Sequence, residues 1–280
     1  MIEHRSCCTA VLRHAPDLRV DCSTRVLQFS SYVFAGAIIE TLMALLHGAC
    51  LCVPSEEQRR SQLALSISHL RASWAFLTPS MLEGLAPDDV PTLDAVCVGG
   101  ESVTPTLIKQ WAGKVHLRQS YGSAELSGLV SSGHITMSTS VRHVGRALTA
   151  IYWLIDPRNP HKLVPIGCPG EIVVEGVVMG RAYIDNPDAN QRSFIASPEW
   201  MRNSLGRPAD ARMFRTGDIA IWTEDGSISL FGRKDVQTKI HGQRLDLGEV
   251  EHHARLLVPK HSFTVVAEAF EPQDREHKVL

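Results

Sequence analysis

The chain has 280 residues, with 28 Lys and Arg against 30 Asp and Glu and a net charge of −2. That length allows a sizeable core plus a smaller second unit, and the near-neutral balance without a basic block excludes nucleic acid and anionic membranes as expected partners. No apolar run approaches the roughly 18–20 residues that span a bilayer, the start "MIEHRSCCTAVLRHAPDL" lacks a signal-peptide pattern, and seven unframed cysteines are expected as free thiols in a reducing cytoplasm.

From about Arg25 to Gln119 short apolar runs alternate with helical patterns. "FAGAIIETLMALLHG" is expected as a helix with Ile38, Leu42, Leu45 and Leu46 on its apolar face and Gly48 as its stop. "ACLCVP" follows as a buried strand; Cys50 and Cys52 have no second ligand pair and are expected as structural. Ser55 and Gln58 have capping-box spacing and open a helix reaching about His69. "SWAFL", "DAVCVGGE" and "VHLRQS" are strands, and Thr78-Pro79 and Thr104-Pro105 are helix starts. Alternation of this kind predicts a parallel sheet covered by helices.

After about Ser140, "HVGRALTAIYWLID", "GEIVVEG" and "GDIAIWTEDGSISLFGR" are strand runs, and Asp225-Gly226 marks a hairpin. This predicts a separate antiparallel layer or small barrel. "LGEVEHHARLLV" then reads as a helix and "FTVVAEAF" as a strand. The expected division is 1–140 for a partial β/α core, 141–234 for the antiparallel β subdomain, and 235–280 for a hinge and the start of a small α+β unit.

Three polar motifs interrupt the pattern. "RQSYGSAE" places Tyr121, Gly122 and Glu125 past the end of a parallel strand, the edge at which open sheets bind ligands. A tyrosine there can stack on a flat ring and a carboxylate can hold a hard cation, although a Tyr-Gly pair alone is more often a plain turn. "FRTGD" places Asp218 beside a glycine at the opening of a strand, suited to two adjacent hydroxyls or to capping a turn. "GRKDVQTKIHGQRLDLGE" is crowded with charge and glycine, as a solvated linker also is.

Together these motifs resemble those of the adenylate-forming (AMP-binding) enzymes, most closely the adenylation domains of nonribosomal peptide synthetases, particularly fungal ones. The matching stretches are "RVLQFSSYVFAGAIIETLMALLHGACLCVPSEEQR", "SYGSAE", "GCPGEIVVEGVVMGRAYIDNP", "MFRTGDIAIW" and "GRKDVQTKIHGQRLDLGEVE", which run over nearly the whole chain. The resemblance implies the α/β fold of that family and activation of a carboxylic or amino acid by ATP. The products would be an acyl-adenylate and pyrophosphate, with transfer of the acyl group to the phosphopantetheine thiol of a peptidyl-carrier domain. It implies that Tyr121, Gly122, Gln119 and the turn Gly99, Gly100 and Glu101 line the adenine slot. By the same carry-over Glu125 holds Mg²⁺, Asp218 takes the ribose hydroxyls with Arg233 nearby, and Asp235 is a hinge. Glu125, Arg233 and Lys239 are the implied catalytic groups.

The implied acid pocket is Ala35, Gly36, Ile39, Phe76, Cys97, Gly99, Ser120, Gly128 and Leu129. Ala35 stands where amino-acid-activating relatives carry an aspartate for the α-ammonium. Small residues at Ala35, Gly36 and Gly99 are expected to leave room for a flat ring beside Phe76, as for an aryl, keto or hydroxy acid.

The sequence departs from the family pattern. Ser123 and Ala124 replace Pro-Thr. A Gly-, Ser- and Thr-rich phosphate loop would precede Met1 and a catalytic lysine would lie well beyond Leu280, and Lys278 does not match it. The chain is therefore expected to be a fragment, inactive alone. The alternatives are a non-catalytic module that holds a nucleotide or carrier, and an aryl-acid or acyl-CoA ligase.

Overall fold

A computed structural model describes residues 1–234, 237–240, 243–257 and 265–270. The first part runs α1 (His4–His14), β1 (Arg25–Leu27), α2 (Ala35–Leu46), β2 (Cys50–Cys52), α3 (Glu56–Ser61), α4 (Leu63–His69), β3 (Trp74–Leu77), α5 (Pro79–Glu83), β4 (Ala95–Val98), α6 (Pro105–Trp111), β5 (His116–Tyr121), β6 (Ser131–His134) and β7 (Arg146–Ala147). Its strands form one sheet in the order β2-β1-β3-β4-β5-β6-β7, parallel through β5 and antiparallel beyond it.

The period-two alternation of the central strands explains why this sheet is covered on both faces. Trp74, Ala95 and Cys97 meet Val11, Ile39 and Met43 on the side of α1 and α2. Ala75, Leu77, Val96 and Val98 meet Ile67, Leu82, Leu107 and Trp111 on the side of α4–α6. Each of the larger aliphatic side chains taken fully out of water contributes about 1.5–3 kcal/mol. Thr78 and Thr104 accept from the backbone N–H of Met81 and Leu107, as N-caps before Pro do.

The second part runs β8 (Ile151–Asp156), β9 (Asn159–Leu163), β10 (Gly170–Glu175), α7 (Pro187–Ser193), β11 (Phe194–Ala196), α8 (Glu199–Leu205), β12 (Arg212–Trp222) and β13 (Ile228–Arg233). These strands make an antiparallel sheet in the order β11-β12-β10-β8-β9, with β13 paired to β12. The two sheets share a core in which Leu126, Val130 and Val144 pack with Tyr152, Ile172, Val174 and Phe214. Beyond them lie the hairpin β14 (Gln237–Ile240) and β15 (Gln243–Asp246), then α9 (Leu247–Leu256).

The structure departs from the sequence reading at several points. The buried residues of α2 are Ala37, Ile39, Glu40, Met43 and Ala44, whereas Ile38, Leu45 and Leu46 are exposed. The helix is apolar almost all round, so periodicity alone does not select a face. The strand of Cys50 lies at the sheet edge and exposes Cys50 while burying Cys52. The capping box of Ser55 and Gln58 is present, but the helix breaks at Gln62 (φ −137°, ψ 42°) before α4 starts. The run from His143 to Asp156 divides: β7 completes the first sheet and β8 belongs to the second. Asp218 stands inside the long β12, not at a strand opening. In the expected strand over 263–270, Val265–Ala269 is not in strand, and 263–264 lie outside the described residues.

Candidate functional site

Val98 of β4 lies in register with Gln119 of β5, so Gly99–Glu101 and Tyr121–Glu125 leave the parallel strands side by side at their carboxyl edge. The chain after β5 turns tightly there. The N–H of Gly128 donates to the carbonyl of Ser123 at 2.8 Å, and a Cβ on Gly122 would lie 2.2 Å from the Gly128 carbonyl oxygen. Only a glycine at position 122 allows that backbone approach.

The second sheet supplies the group that faces this edge. Asp218 is paired across the β12–β13 ladder with Arg233. The Arg233 Nη1 donates to Asp218 Oδ1 at 2.8 Å, and the Tyr121 hydroxyl donates to Asp218 Oδ2 at 2.5 Å. The structure thus brings together three residues drawn from two motifs and from the charged stretch. Burial first, and the Asp218 charge second, push the Tyr121 phenol well above the usual tyrosine range, so it stays protonated and donates. Tyr121 also stands edge-on to Tyr152, with ring centroids 6.2 Å apart.

The remaining predicted residues are placed less uniformly. Glu125 is buried on a 3-10 turn, where its Oε1 accepts from the Tyr183 hydroxyl at 2.7 Å. Glu101 is tied to the first turn of α5, its Oε2 accepting from the Ser80 N–H at 3.1 Å. Gln119 is buried, and its Oε1, like the Ser123 hydroxyl, has no protein partner among the described residues. Buried polar atoms of this kind fit a polar ligand at the edge. Lys239 lies on β14, and Asp235 lies outside the described residues. Among the described residues no three His, Cys, Asp or Glu side chains gather as a metal cluster, so a cation here would rest on Glu125 and on oxygens of its ligand, as Mg²⁺ commonly does.

The predicted acid-pocket residues do converge. Cβ atoms built on Gly36 and Gly99 would lie 3.3 and 3.2 Å from the Phe76 ring, and one on Gly128 would lie 2.4 Å from Ile39 Cδ1 and 3.7 Å from Ala35 Cβ. The Cys97 thiol donates to Ser120 Oγ at 3.2 Å, and burial pushes its pKa up to about 12. The glycines do not leave the room expected of them. The place of a side chain on Gly36 is taken by Ser30 Oγ, 2.4 Å away, and that on Gly128 by Ile39. Small residues here admit neighbours of the protein itself.

Sequence reasoning missed Glu40, which is fully buried beneath this cluster. Its carboxylate accepts from the Ser30 hydroxyl at 2.7 Å, the Ser30 N–H at 3.0 Å and Gln28 Nε2 at 3.2 Å. Burial raises its pKa to about 7 against those bonds. The signal was a lone carboxylate in the middle of the apolar run "AGAIIETLMALL". Thr216 and Tyr183 were also missed; Thr216 Oγ1 accepts from the Asp218 N–H at 3.1 Å.

The family described as "AMP-binding enzyme" matches residues 1–184. Nonribosomal peptide synthetase 4 of Gibberella zeae is 41% identical over 256 residues, covering 90% of this chain and 3% of that protein. Malformin synthetase mlfA of Aspergillus sclerotiicarbonarius is 41% identical over 263 residues, covering 92% of this chain and 5% of that protein. The chain therefore spans a small part of these relatives. Among solved structures, NpsA-ThdA, an artificially fused adenylation-PCP di-domain from Klebsiella oxytoca, superimposes with a TM-score of 0.79 at 26% identity, over 99% of this chain and 51% of that one. The Vibrio cholerae adenylation domain AlmE, in complex with glycyl-adenosine-5'-phosphate, gives 0.80 at 23% identity over 93% of this chain and 50% of its own, a likeness of fold.

Proposed function

Since the chain belongs to the family of AMP-binding enzymes, we propose that it forms part of an adenylation domain of nonribosomal peptide synthesis. In that role it helps to activate a carboxylic acid with ATP and to pass the acyl group to the phosphopantetheine thiol of a carrier domain. The observation that carries this reading is the Asp218 carboxylate, held between the Tyr121 hydroxyl and the Arg233 guanidinium at the carboxyl edge of the parallel strands.

The chemistry is attack of a carboxylate oxygen on the α-phosphorus of ATP, forming the new P–O bond as the bond to pyrophosphate breaks. In this reading Asp218, whose oxygens each keep a second lone pair beside Tyr121 and Arg233, accepts from the ribose hydroxyls and fixes the nucleoside. Tyr121 flanks the base, and Gln119 Oε1 offers a buried acceptor to its exocyclic amine. Arg233 holds the Asp218 carboxylate in position for this task. Mg²⁺, when bound, would neutralise charge on the transferring phosphate, and Glu125 is the residue placed to hold it. The proposed acid pocket at Ala35, Phe76 and Cys97 has a methyl at Ala35 where an α-ammonium would need a carboxylate, and the Glu40 carboxyl is bonded to Ser30. This supports an acid without that cation.

The test is calorimetric titration with AMP of the 280-residue chain and of Asp218→Ala. The expected result is saturable binding weakened at least about tenfold by the substitution, the loss of a charge-assisted pair. Equal affinity in the two proteins would refute the assignment.

A further inference from the structure

At the opposite end of the parallel strands the structure has an open recess of about 350 Å³, lined by Arg19, Asp94, Lys114, His116 and His134 among others. It lies at the start of β5, five residues before Tyr121 and thus roughly 17 Å from the nucleotide edge at the usual strand rise. Among the described residues, neither Arg19 nor Lys114 takes part in an ion pair. His116 and His134 stack with ring centroids 5.4 Å apart, and His116 Nε2 is bonded to the Asp17 carbonyl at 2.9 Å, which fixes the ring at the wall.

The backbone under Arg19 is the second observation. The N–H of Val20 donates to Ala15 and that of Arg19 to Pro16, the paired bonds that close a helical turn through one left-handed residue. Arg19 is that residue, at φ 56°. Glycine or asparagine suits the position, and an arginine there is strained. The strain places a long cation at the mouth of the recess.

We propose that this recess binds a small oxyanion of the phosphate class, held by Arg19 and Lys114 beside the stacked His116 and His134 rings and reinforced when His116 is protonated. The charged groups around His116 are Asp17 and Arg19 from the turn after α1, Arg118 on its own strand, His134 on β6, and Asp94 and Lys114 ahead of β4 and β5. Asp94 opposes an anion, so the site is weakly attractive with the His116 ring neutral and more strongly so with it charged. Burial and the neighbouring cations hold the His116 pKa below its usual value. A bound anion raises it again, so binding takes up protons and tightens as pH falls.

The experiment follows the His116 and His134 ring resonances of the full chain by NMR. Sulfate, a dianion throughout, is titrated at about pH 7.5 and about pH 5.5 against sodium chloride of equal ionic strength. Sulfate should raise the His116 pKa, and its affinity should increase about threefold or more at the lower pH. Arg19→Gly should abolish most of the sulfate effect while raising Tm in chloride, because glycine suits the left-handed position; a failure to fold is thus separable from a failure to bind. Lys114→Ala provides a second variant outside the turn. Competition by inorganic phosphate alone marks a site for the free ion, and competition by glycerol phosphate marks one for a phosphate monoester. A His116 titration moved no further by sulfate than by chloride, or an unchanged sulfate affinity in Arg19→Gly, overturns the proposal.

Discussion

At the scale of single residues, two carboxyl groups sit in contrasting surroundings, Glu40 buried and Asp218 half-buried. Asp218 is surrounded by donors, and Tyr121→Phe removes one of them while leaving the ring in place. A bond to a charged group contributes about 1.5–3 kcal/mol, so this variant should lose stability of that order in urea unfolding and weaken AMP binding as well. No loss in either measurement would mean that the Tyr121–Asp218 bond is energetically idle. Glu40 lacks any cation among its described contacts, and burial places its pKa at about 7, above the ordinary value of 4.5. The folded state therefore holds a proton that the unfolded state releases, and stability falls as pH rises from about 4.5 to about 7, then levels. The difference corresponds to a few kcal/mol at most, on the order of 3. Glu40→Gln should flatten the dependence of Tm on pH across this window, and an equally steep profile in the variant would contradict the assignment. Tyr121 and Asp218 could be singled out only because their motifs occur together in the family's order, since either one alone reads as a turn residue. Glu40 was not, since its partners Gln28 and Ser30 lie in a loop without any periodic signal.

At the scale of elements, α2 shows where pattern reading stops. Both of its faces are apolar, and the choice between them is made by contacts with Val11 of α1 and Trp74 of β3, which no local window contains. Met43→Ala should cost about 2–5 kcal/mol, as large-to-small changes in a packed core do, whereas Leu45→Lys should change stability by no more than about 0.5 kcal/mol. A reversed order of the two effects would restore the face read from periodicity. Capping was read correctly because it is local: Ser55 and Gln58 satisfy each other's backbone within four residues. Ser55→Ala should cost about 1 kcal/mol in thermal unfolding. The break at Gln62 lacked any such marker. The parallel strands were equally legible, because continuous apolar runs bounded by turn residues suit a sheet buried on both sides. The partition of residues 143–156 between two sheets was not, because pairing partners are set by tertiary docking.

At the scale of the whole molecule, the proposed nucleoside edge draws its residues from both sheets. The bond between Tyr121 and Asp218 spans 97 positions of sequence and joins one sheet to the other. Loop closure on that scale must precede it, so the edge is completed only once both sheets have collapsed and docked. Nucleotide should therefore have little to hold in the folding transition state. AMP is expected to leave the refolding limb of the chevron almost unchanged and to slow the unfolding limb in proportion to its occupancy, acting as a kinetic clasp on the finished structure.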